Sequence, residues 1–316
     1  MAGIFPYLLA FPAIAPFLAV NFSPACVGSR RKWYNTRMVI HQRVDESYRI
    51  TDDDVRQFDE KGYIVLTDVI SESELEQIEA WFDHLVSGAE QDRMARDFCD
   101  MSQPYGTPLE DFQLVNAMLP SHYMPEVANN VFHRVTQNIA DQLYVGGTAA
   151  LDYEQFLAKK PAKEGAEFAM HQDLGYWPKT PNTWTATFSL AITPSTLESG
   201  CLQVIPGSNK EAELRKHLPK PVSGSLVDAD GPIDRDGSHL LVIDAKEDDT
   251  VQFLPVDRGS VTVHDERIVH GSAGNVSGKW RKTYVAAYRD VGTIAAERAA
   301  GFTHSHNDDV NWDDFI

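Results

Sequence analysis

Residues 168–173 of this 316-residue chain read Phe-Ala-Met-His-Gln-Asp, and this stretch sets the expectation for fold and chemistry. On a β-strand alternate side chains share one face, so His171 and Asp173 are expected to point the same way. A second histidine, His270, lies far downstream, and Arg281 follows it. Two histidines and one carboxylate can bind one face of an octahedral metal, as in non-haem Fe(II) oxygenases. A nearby arginine can hold a co-substrate carboxylate through two parallel hydrogen bonds.

The third metal ligand has two candidates in the sequence. His264 ends a predicted strand over residues 261–264, whereas His270 follows a short loop. We prefer His270, because the turn at Gly274-Asn275 lets the chain fold back so that Arg281 lies beside it. His264 is then expected to be a hydrogen-bonded histidine or a histidine at the rim of the site.

Three separate blocks of sequence resemble the phytanoyl-CoA dioxygenase family. They are HQDLGYWP at residues 171–178, SGCLQVIPGS at residues 199–208, and HGS at residues 270–272 followed by Arg281. The resemblance extends in element order over roughly residues 50–290. It implies a non-haem Fe(II), 2-oxoglutarate-dependent oxygenase that consumes O2 and is built on a double-stranded β-helix.

The resemblance also implies roles for individual residues. It assigns the Fe(II) ligands to His171, Asp173 and His270, and the 2-oxoglutarate carboxylate to Arg281. Gln172 and Ser272 match positions that contact the co-substrate in relatives. Because Asp173 fills the carboxylate position, halogenation, which needs that position free for chloride, is not expected. The sequence departs from the family pattern at two positions around the expected site. Asn209 stands where the family usually has histidine, and Phe188 stands where it often has tryptophan.

The order of secondary structure favours a mainly β fold with flanking helices. Helical patterns dominate residues 50–147, and short strand patterns dominate residues 150–290, with a charged insertion at 209–250. Predicted strands cover residues 151–158, 168–172, 185–192, 202–205, 251–254, 261–264 and 282–288. This order predicts one domain over residues 50–316 with a double-stranded β-helix (jelly-roll, cupin-like) core.

Three helices can be placed by their terminal residues. Thr51 is expected to cap a helix that Gly62 ends, and Ser71 with Glu74 forms a capping box for a second helix. Pro125 is expected to open a third helix, whose apolar residues recur every four positions up to residue 143. Residues 89–124 show no clear pattern.

Composition narrows the function classes. The net charge is −18, so binding to nucleic acid or to an anionic membrane surface is disfavoured. The three cysteines have no metal-site spacing and are interpreted as free thiols in a reducing compartment.

The first 49 residues are interpreted as a leader or a disordered extension. Residues 1–20 are uncharged and apolar but contain three prolines, and basic residues follow them instead of preceding them. This order disfavours a signal peptide or a membrane anchor, and favours an organelle-targeting leader or a true start at Met38. The protein is therefore expected in the cytoplasm, or in an organelle after removal of the leader.

Clues to the substrate come from residues beside the metal motif. Tyr176, Trp177 and Trp184 could line an apolar pocket, or pack as ordinary core residues. Basic residues cluster there in an otherwise acidic chain and favour an anionic substrate, although a solvated lysine face is the alternative: Lys159, Lys160, Lys163, Lys179 and Arg267. An acyl-CoA, an amino-acid derivative or another small acid would fit.

Two alternatives to this oxygenase remain open. One is a non-catalytic jelly-roll protein that binds a metal or a small acid. The other is a cupin-type metal enzyme that needs no 2-oxoglutarate. The complete set of His171, Asp173, His270 and Arg281 argues against the first, because a non-catalytic protein has no need to keep all four. Arg281 argues against the second, because an enzyme without 2-oxoglutarate needs no co-substrate clamp.

Overall fold

Helices supply most of the regular structure before residue 148 in the described parts of the chain, and strands supply most of it afterwards. The computed structural model describes residues 41–163, 165–178, 180–219, 240–243 and 246–308. Residues 1–40 of the predicted leader and the middle of the predicted insertion lie outside the described residues. Within these ranges, no helix combines the length and the apolar character needed to cross a membrane.

The regular elements have the following bounds. The strands are β1 (Gln42–Val44), β2 (Ser47–Arg49), β3 (Tyr63–Leu66), β4 (Phe98–Asp100), β5 (Leu114–Met118), β6 (Ala149–Lys159), β7 (Phe168–His171), β8 (Thr185–Ala191), β9 (Leu202–Val204), β10 (His217–Pro219), β11 (Leu241–Ile243), β12 (Gln252–Leu254), β13 (Val261–Asp265), β14 (His270–Ser272) and β15 (Arg281–Asp290). The α-helices are α1 (Asp52–Lys61), α2 (Glu72–Val86), α3 (Gln91–Met94), α4 (Pro120–Tyr123), α5 (Val131–Leu143) and α6 (Val291–Ala299).

Two antiparallel sheets form the core. The larger has seven strands in the order β3-β13-β8-β15-β6-β5-β4, and the smaller has four in the order β12-β9-β14-β7. Strands that are distant in sequence are neighbours in both sheets, as a jelly roll requires. The predicted mainly β fold with flanking helices and a double-stranded β-helix core is confirmed.

The helices cover one face of the larger sheet. The ring of Phe82 in α2 lies 5.0 Å from that of Phe156 in β6, and the ring of Phe132 in α5 lies 4.9 Å from that of Tyr284 in β15. All four side chains are fully buried, and each such burial stabilises the fold by about 1.5–3 kcal/mol. Because strand residues alternate between faces, the residues next to Phe156 and Tyr284 point to the opposite side of the sheet. They line a cavity there: Gln155, Leu157, Thr283 and Val285.

The starts of two helices are confirmed. The Thr51 hydroxyl accepts a bond from the Asp54 backbone N–H at 3.1 Å, and the Asp54 carboxylate accepts one from the Thr51 N–H at 2.8 Å. Gly62 ends α1 in a left-handed conformation with φ of 80°, which glycine adopts without strain. Ser71 and Glu74 form the predicted capping box of α2.

The predicted start of the third helix is wrong. Pro125–Val127 forms a separate turn of 3-10 helix, and Asn129 then takes a left-handed φ of 51°. Asn130 caps α5 instead, by accepting bonds from the N–H groups of Phe132 at 2.8 Å and His133 at 3.2 Å. A left-handed residue interrupts the α-helical hydrogen-bond pattern, so the apolar periodicity extended past the real boundary.

The folded chain begins before the predicted boundary at residue 50. β1 and β2 form a hairpin, and Tyr48 within it is 1% exposed. The Tyr48 hydroxyl donates to the Thr67 carbonyl at 2.7 Å, and its backbone N–H donates to Asn138 at 3.0 Å. Arg43 pairs with Glu74 of α2 at 2.6 Å. Strands of three residues are too short for their alternation to be recognised in sequence.

The predicted insertion at residues 209–250 contains strands at both of its described ends. β10 pairs with β11, and His217 lies opposite Ile243. Arg215, next to β10, forms ion pairs with Glu211 at 2.7 Å and with Asp249 at 2.6 Å. These contacts tie the two described ends of the segment together beside the smaller sheet.

Candidate metal centre and active-site cavity

The first feature of the site is a pair of histidines on neighbouring strands. His171 ends β7 and His270 begins β14, and the antiparallel register places the two residues opposite each other. Nδ1 of His171 lies 2.7 Å from the Ala169 carbonyl, and Nδ1 of His270 lies 3.0 Å from the Ile268 carbonyl. A carbonyl only accepts hydrogen bonds, so each Nδ1 carries a proton. Each Nε2 therefore keeps its lone pair for a metal.

Asp173 completes a three-residue group. It opens a turn of 3-10 helix directly after β7, and its Oδ1 lies 3.5 Å from Nε2 of His171 and 3.3 Å from Nε2 of His270. Its Oδ2 accepts a bond from the Thr187 hydroxyl at 3.0 Å and lies 3.2 Å from Nε2 of His264. One carboxylate oxygen therefore faces the histidine pair, and the other is held by β8 and β13.

The protonation states of these residues suit metal binding. Burial by itself raises the pKa of Asp173, but His270, His171 and His264 together hold that pKa well below its ordinary value. Burial, followed by the charge of His270, lowers the pKa of His171. An ionised carboxylate and a neutral imidazole are the forms that coordinate metals.

The donor atoms of this group fit one metal ion. The two Nε2 atoms and the carboxylate oxygen lie within 4.8 Å of one another. Metal bonds of about 2.1 Å at right angles place adjacent donors about 3 Å apart. The 3.3 and 3.5 Å separations from Oδ1 are close to that value. Two imidazoles and one carboxylate on one face suit Fe(II) with three positions left open.

His264 lies beside this group, but its Nε2 is directed at the other oxygen of Asp173. Its ring centroid is 4.1 Å from that of His270, and its side chain is 4% exposed. Nδ1 of His264 has no hydrogen-bond partner among the described residues. The geometry gives His264 the hydrogen-bonded role, in which it orients the carboxylate and leaves Oδ1 to the metal. The sequence contained no signal that would join Thr187 to the same carboxylate.

Arg281 brings an unpaired cation to the same cavity. It begins β15, is 5% exposed, and donates from Nη1 to the Gly200 carbonyl at 2.7 Å. Its Nε has no partner, and it forms no ion pair with any residue that the structure describes. Burial lowers the pKa of Arg281 to about 10, so the guanidinium stays charged at neutral pH. A buried cation without a counter-charge is prepared for a carboxylate ligand.

Ser272 lines the same cavity as Arg281. Its hydroxyl accepts a bond from Nζ of Lys159 at 2.7 Å, and Lys159 lies opposite Arg281 in the pairing of β6 with β15. Lys159 is fully buried and also donates to the Ser272 carbonyl at 3.2 Å. Lys159 thus holds the Ser272 side chain in place on the wall that also contains Arg281.

Gln172 differs from its expected role. Its amide nitrogen donates to the Arg267 carbonyl at 2.6 Å, and its amide oxygen accepts from the Arg215 N–H at 2.8 Å. The side chain is fully buried and is not among the residues that line the cavity. Alternation along the extended chain turns Gln172 away from the face that His171 and Asp173 share.

The cavity enclosed by these residues has a volume of about 160 Å³ and is mostly apolar. Both sheets and the segment after α6 contribute to its wall, which includes Met101, Met118, Tyr153, Leu157, Phe168, Tyr176, Trp177 and Val285. Among the described residues that line it, Asp173 and Arg281 alone carry a carboxylate, ammonium or guanidinium group. Tyr176 and Trp177 therefore line the cavity, which is the first of the two alternatives that the sequence left open for them.

Trp184 and the basic cluster lie elsewhere. Trp184 stacks on Tyr144 at a centroid distance of 4.3 Å and packs against the core. Lys160 donates to the Leu109 carbonyl at 2.9 Å, and Arg267 donates to the Glu211 carbonyl at 2.9 Å. None of the described basic residues of that cluster lines the cavity, and Lys179 lies outside the described residues. Lys159 contacts the lining residue Ser272 from behind the cavity wall, so its ammonium group does not face the cavity.

A second group of possible ligands has a different explanation. Asp152, Glu297 and His304 also bring three donor atoms within 4.8 Å. Arg289 lies among them, with Nη1 2.9 Å from Asp152 and Nη2 2.8 Å from Glu297. The arginine already compensates both carboxylates, and its positive charge would repel a metal ion. This group is a buried ion-pair network.

Comparison with known families and relatives agrees with the resemblance noted in the sequence. The sequence model of the phytanoyl-CoA dioxygenase (PhyH) family matches residues 58–283. A phytanoyl-CoA dioxygenase domain-containing protein 1 homolog from Dictyostelium discoideum is 29% identical over 153 residues, which are 47% of this chain and 50% of that protein. The peroxisomal phytanoyl-CoA dioxygenase of Mus musculus is 23% identical over 246 residues, 71% of this chain and 64% of that protein. The chain therefore spans about half to two thirds of the length of these curated relatives.

Solved structures share the fold. EvdO2 from Micromonospora carbonacea var. aurantiaca, crystallised with 2-oxoglutarate, aligns with a TM-score of 0.59 and 22% identity, over 77% of this chain and 92% of that one. EctD from S. alaskensis with bound Fe aligns with a TM-score of 0.57 and 19% identity, over 77% of this chain and 78% of that one. At these identities the likeness concerns the fold.

Proposed function

The chain belongs to the phytanoyl-CoA dioxygenase (PhyH) family, and from this membership we propose that it is a non-haem Fe(II)/2-oxoglutarate-dependent oxygenase. It oxidises a C–H bond of a small molecule, while 2-oxoglutarate is decarboxylated to succinate. Hydroxylation is the expected outcome, and desaturation or ring closure are the variants that the same site allows. His171, Asp173 and His270 hold the metal, and Arg281 holds the distal carboxylate of 2-oxoglutarate.

The observation that best supports this proposal is that the metal-binding group and the arginine for 2-oxoglutarate lie in one cavity. The metal-binding group lies within a wall that also contains Arg281, a buried guanidinium without a carboxylate partner among the described residues. A cupin-type enzyme without 2-oxoglutarate has no use for that cation. Burying an unpaired charge costs free energy, so the buried guanidinium of Arg281 favours a site that binds an anion.

Each residue has a defined task in this reaction. Fe(II) bound at the three ligands supplies the activation of dioxygen that is coupled to the loss of CO2 from 2-oxoglutarate. Thr187 and His264 hold Oδ2 of Asp173, so that Oδ1 keeps its direction towards the metal. The apolar wall excludes water and positions the reacting C–H bond.

The cavity favours a substrate whose reacting part is uncharged. Apart from Asp173 and Arg281, which the metal and 2-oxoglutarate would neutralise, no described lining residue carries a fixed charge. An isolated charge buried among these apolar side chains would lack a partner. The anionic group expected from the basic cluster, such as that of an acyl-CoA or another small acid, would then lie outside the cavity.

The location proposed for the enzyme is the cytoplasm, or an organelle after removal of the leader. Residues 1–40, where the leader is expected, lie outside the described residues. Expression of the full chain and of residues 38–316, each fused at the carboxyl end to a fluorescent protein, tests this proposal. Identical diffuse patterns would rule out the organelle-targeting leader.

The decisive experiment separates this enzyme from the alternatives. Protein is loaded anaerobically with Fe(II) and then titrated with 2-oxoglutarate, and the visible iron–keto-acid charge-transfer band is followed. O2 is then admitted with a panel of small acids and acyl thioesters, and succinate is measured. Iron binding without the band would indicate a 2-oxoglutarate-independent metal enzyme. A band without any succinate above that of an Asp173→Ala variant would indicate a non-catalytic binding protein.

A further inference from the structure

The chain returns to the active-site cavity after α6. Residues Phe302–Asn307, here called the C-terminal strap, supply His304 and His306 to the cavity wall. The family match ends at residue 283, so the strap lies outside the part of the chain that resembles the family. The role of this wall is therefore argued from its own contacts.

The backbone of the strap is fixed by one buried carboxylate, Asp97. Asp97 is fully buried, and its Oδ1 accepts the His306 backbone N–H at 2.6 Å. Its Oδ2 accepts the hydroxyls of Ser305 and Tyr123, each at 2.7 Å. Asn307 adds a bond from its side chain to the Met94 carbonyl at 2.9 Å. Three hydrogen bonds, from Ser305, His306 and Asn307, thus hold the strap against Asp97 and Met94.

The side chains of the two histidines of the strap differ in burial and in their contacts. His304 is 4% exposed, its Nε2 lies 2.8 Å from the Asp152 carboxylate, and its ring meets Trp177 edge-on at 5.9 Å. Replacing it would disturb the buried network around Asp152. The His306 ring is partly exposed and contacts the Tyr105 hydroxyl, while its backbone is held separately by Asp97. A change of this side chain would therefore leave the bond between its backbone and Asp97 in place.

We propose that the C-terminal strap is a substrate-facing wall of the cavity, and that His306 sets the size limit for the substrate at this end. The inference rests on the proposed function, because it assigns the cavity beside the metal to the substrate. The lining residues whose rings meet the strap are aromatic: those of Tyr153 and Trp177 lie 5.3 and 5.9 Å from that of His304. The part of the substrate that meets the strap is accordingly an uncharged apolar group.

The test measures the size limit with a homologous series of probes. Straight-chain primary alcohols from butanol to decanol are titrated by calorimetry into protein loaded anaerobically with Fe(II) and 2-oxoglutarate, and into protein without them. In His306→Ala the ratio of octanol affinity to hexanol affinity should be about tenfold higher than in the native chain. The reason is that the space left by the imidazole would bury two further methylenes. His306→Phe should shift the preference towards shorter alcohols. His122→Ala, at an exposed histidine outside the cavity, should match the native chain.

A second variant tests the strap itself. Asp97→Asn replaces an accepting oxygen by a donor, so hydrogen exchange of the amides at residues 302–307 should accelerate, and the alcohol preference should relax as in His306→Ala. Unchanged alcohol preferences in His306→Ala and His306→Phe would overturn the proposal. If the native chain shows no charge-transfer band but the alcohol series shifts as described, the proposed oxygenase function fails and the strap as a size-limiting wall stands.

Discussion

Nε2 of His264 lies 3.2 Å from Oδ2 of Asp173, the carboxylate oxygen that does not face the histidine pair. This bond and the one from Thr187 both engage Oδ2, so Oδ1 is the carboxylate oxygen that faces His171 and His270. The bond distinguishes His264 from His270, although their ring centroids lie only 4.1 Å apart. His270 and His171 thus face one oxygen of Asp173, and His264 contacts the other.

Iron affinity should distinguish the two histidines. His270→Ala removes one of three protein ligands and should abolish binding of Fe(II) at micromolar concentrations. His264→Ala removes an orienting partner and should weaken binding about 10-fold while most turnover remains. Anaerobic equilibrium dialysis measures both, with His84→Ala on the surface of α2 as the control. Retention of iron in His270→Ala together with its loss in His264→Ala would exchange their roles.

Arg281 should determine the affinity for 2-oxoglutarate and leave iron binding intact. Removing one partner of a desolvated charged pair costs about 2–5 kcal/mol, which is roughly 30-fold or more in affinity. Arg281→Ala should therefore raise the dissociation constant for 2-oxoglutarate at least that much, and Arg281→Lys should recover part of it, because lysine lacks the two-pronged geometry. Anaerobic titration of the charge-transfer band gives each constant. Arg93→Ala, at a surface arginine, is the control, and an unaltered curve for Arg281→Ala would remove Arg281 from the site.

The ion pair between Arg43 and Glu74 should give stability that depends on pH. Hydrogen bonds from Arg43 lower the pKa of Glu74 from 4.5 to about 2. The folded state thus binds fewer protons than the unfolded state, so the contribution is present above pH 4.5 and is lost as pH falls towards 2. Arg43→Ala should lower the melting temperature by about 2 °C at pH 7, for a pair worth about 1 kcal/mol. Melting curves of both proteins should converge near pH 2; a constant gap would assign the effect to packing.

The residues before Met38 should be dispensable, whereas the hairpin of β1 and β2 should not be. A chain that begins at Met38 is expected to turn over 2-oxoglutarate like the full chain. A chain that begins at Ile50 loses Tyr48, which is almost fully buried, and should lose about 3 kcal/mol of stability, the cost typical of removing a buried aromatic side chain. Urea denaturation of the two truncated chains measures the difference. Equal midpoints would mean that the hairpin adds nothing to the domain.

The network around Arg289 should behave as a structural element and not as a second metal site. Asp152→Asn breaks a fully buried pair and should destabilise the fold by about 3–5 kcal/mol. Its iron content after anaerobic loading should equal that of the native chain, about one ion per chain, because Arg289 occupies the space between the carboxylates. Loss of one of two bound ions in this variant would instead identify Asp152 as a ligand.

Much of the fold followed from short-range rules. The caps at Thr51 and Ser71 depend on hydrogen bonds between residues three positions apart, so a few letters of sequence define them. Strand alternation predicted that His171 and Asp173 share a face, and it also accounts for the position of Gln172, which the family resemblance had placed in the site. The start of α5 was missed because apolar periodicity continues through Pro125, whereas the left-handed Asn129 gives no periodic signal.

The sequence by itself determined the types and spacing of the candidate ligands and the class of fold, since each depends on residue chemistry and on local backbone periodicity. Only the tertiary structure decided that His264 binds Asp173, that Thr187 joins it, that the lysines beside the motif avoid the cavity, and that His304 and His306 enter it. Those contacts join residues that are tens to hundreds of positions apart. Their distances depend on strand register and helix packing, which are set by the burial of the whole core and not by any local pattern.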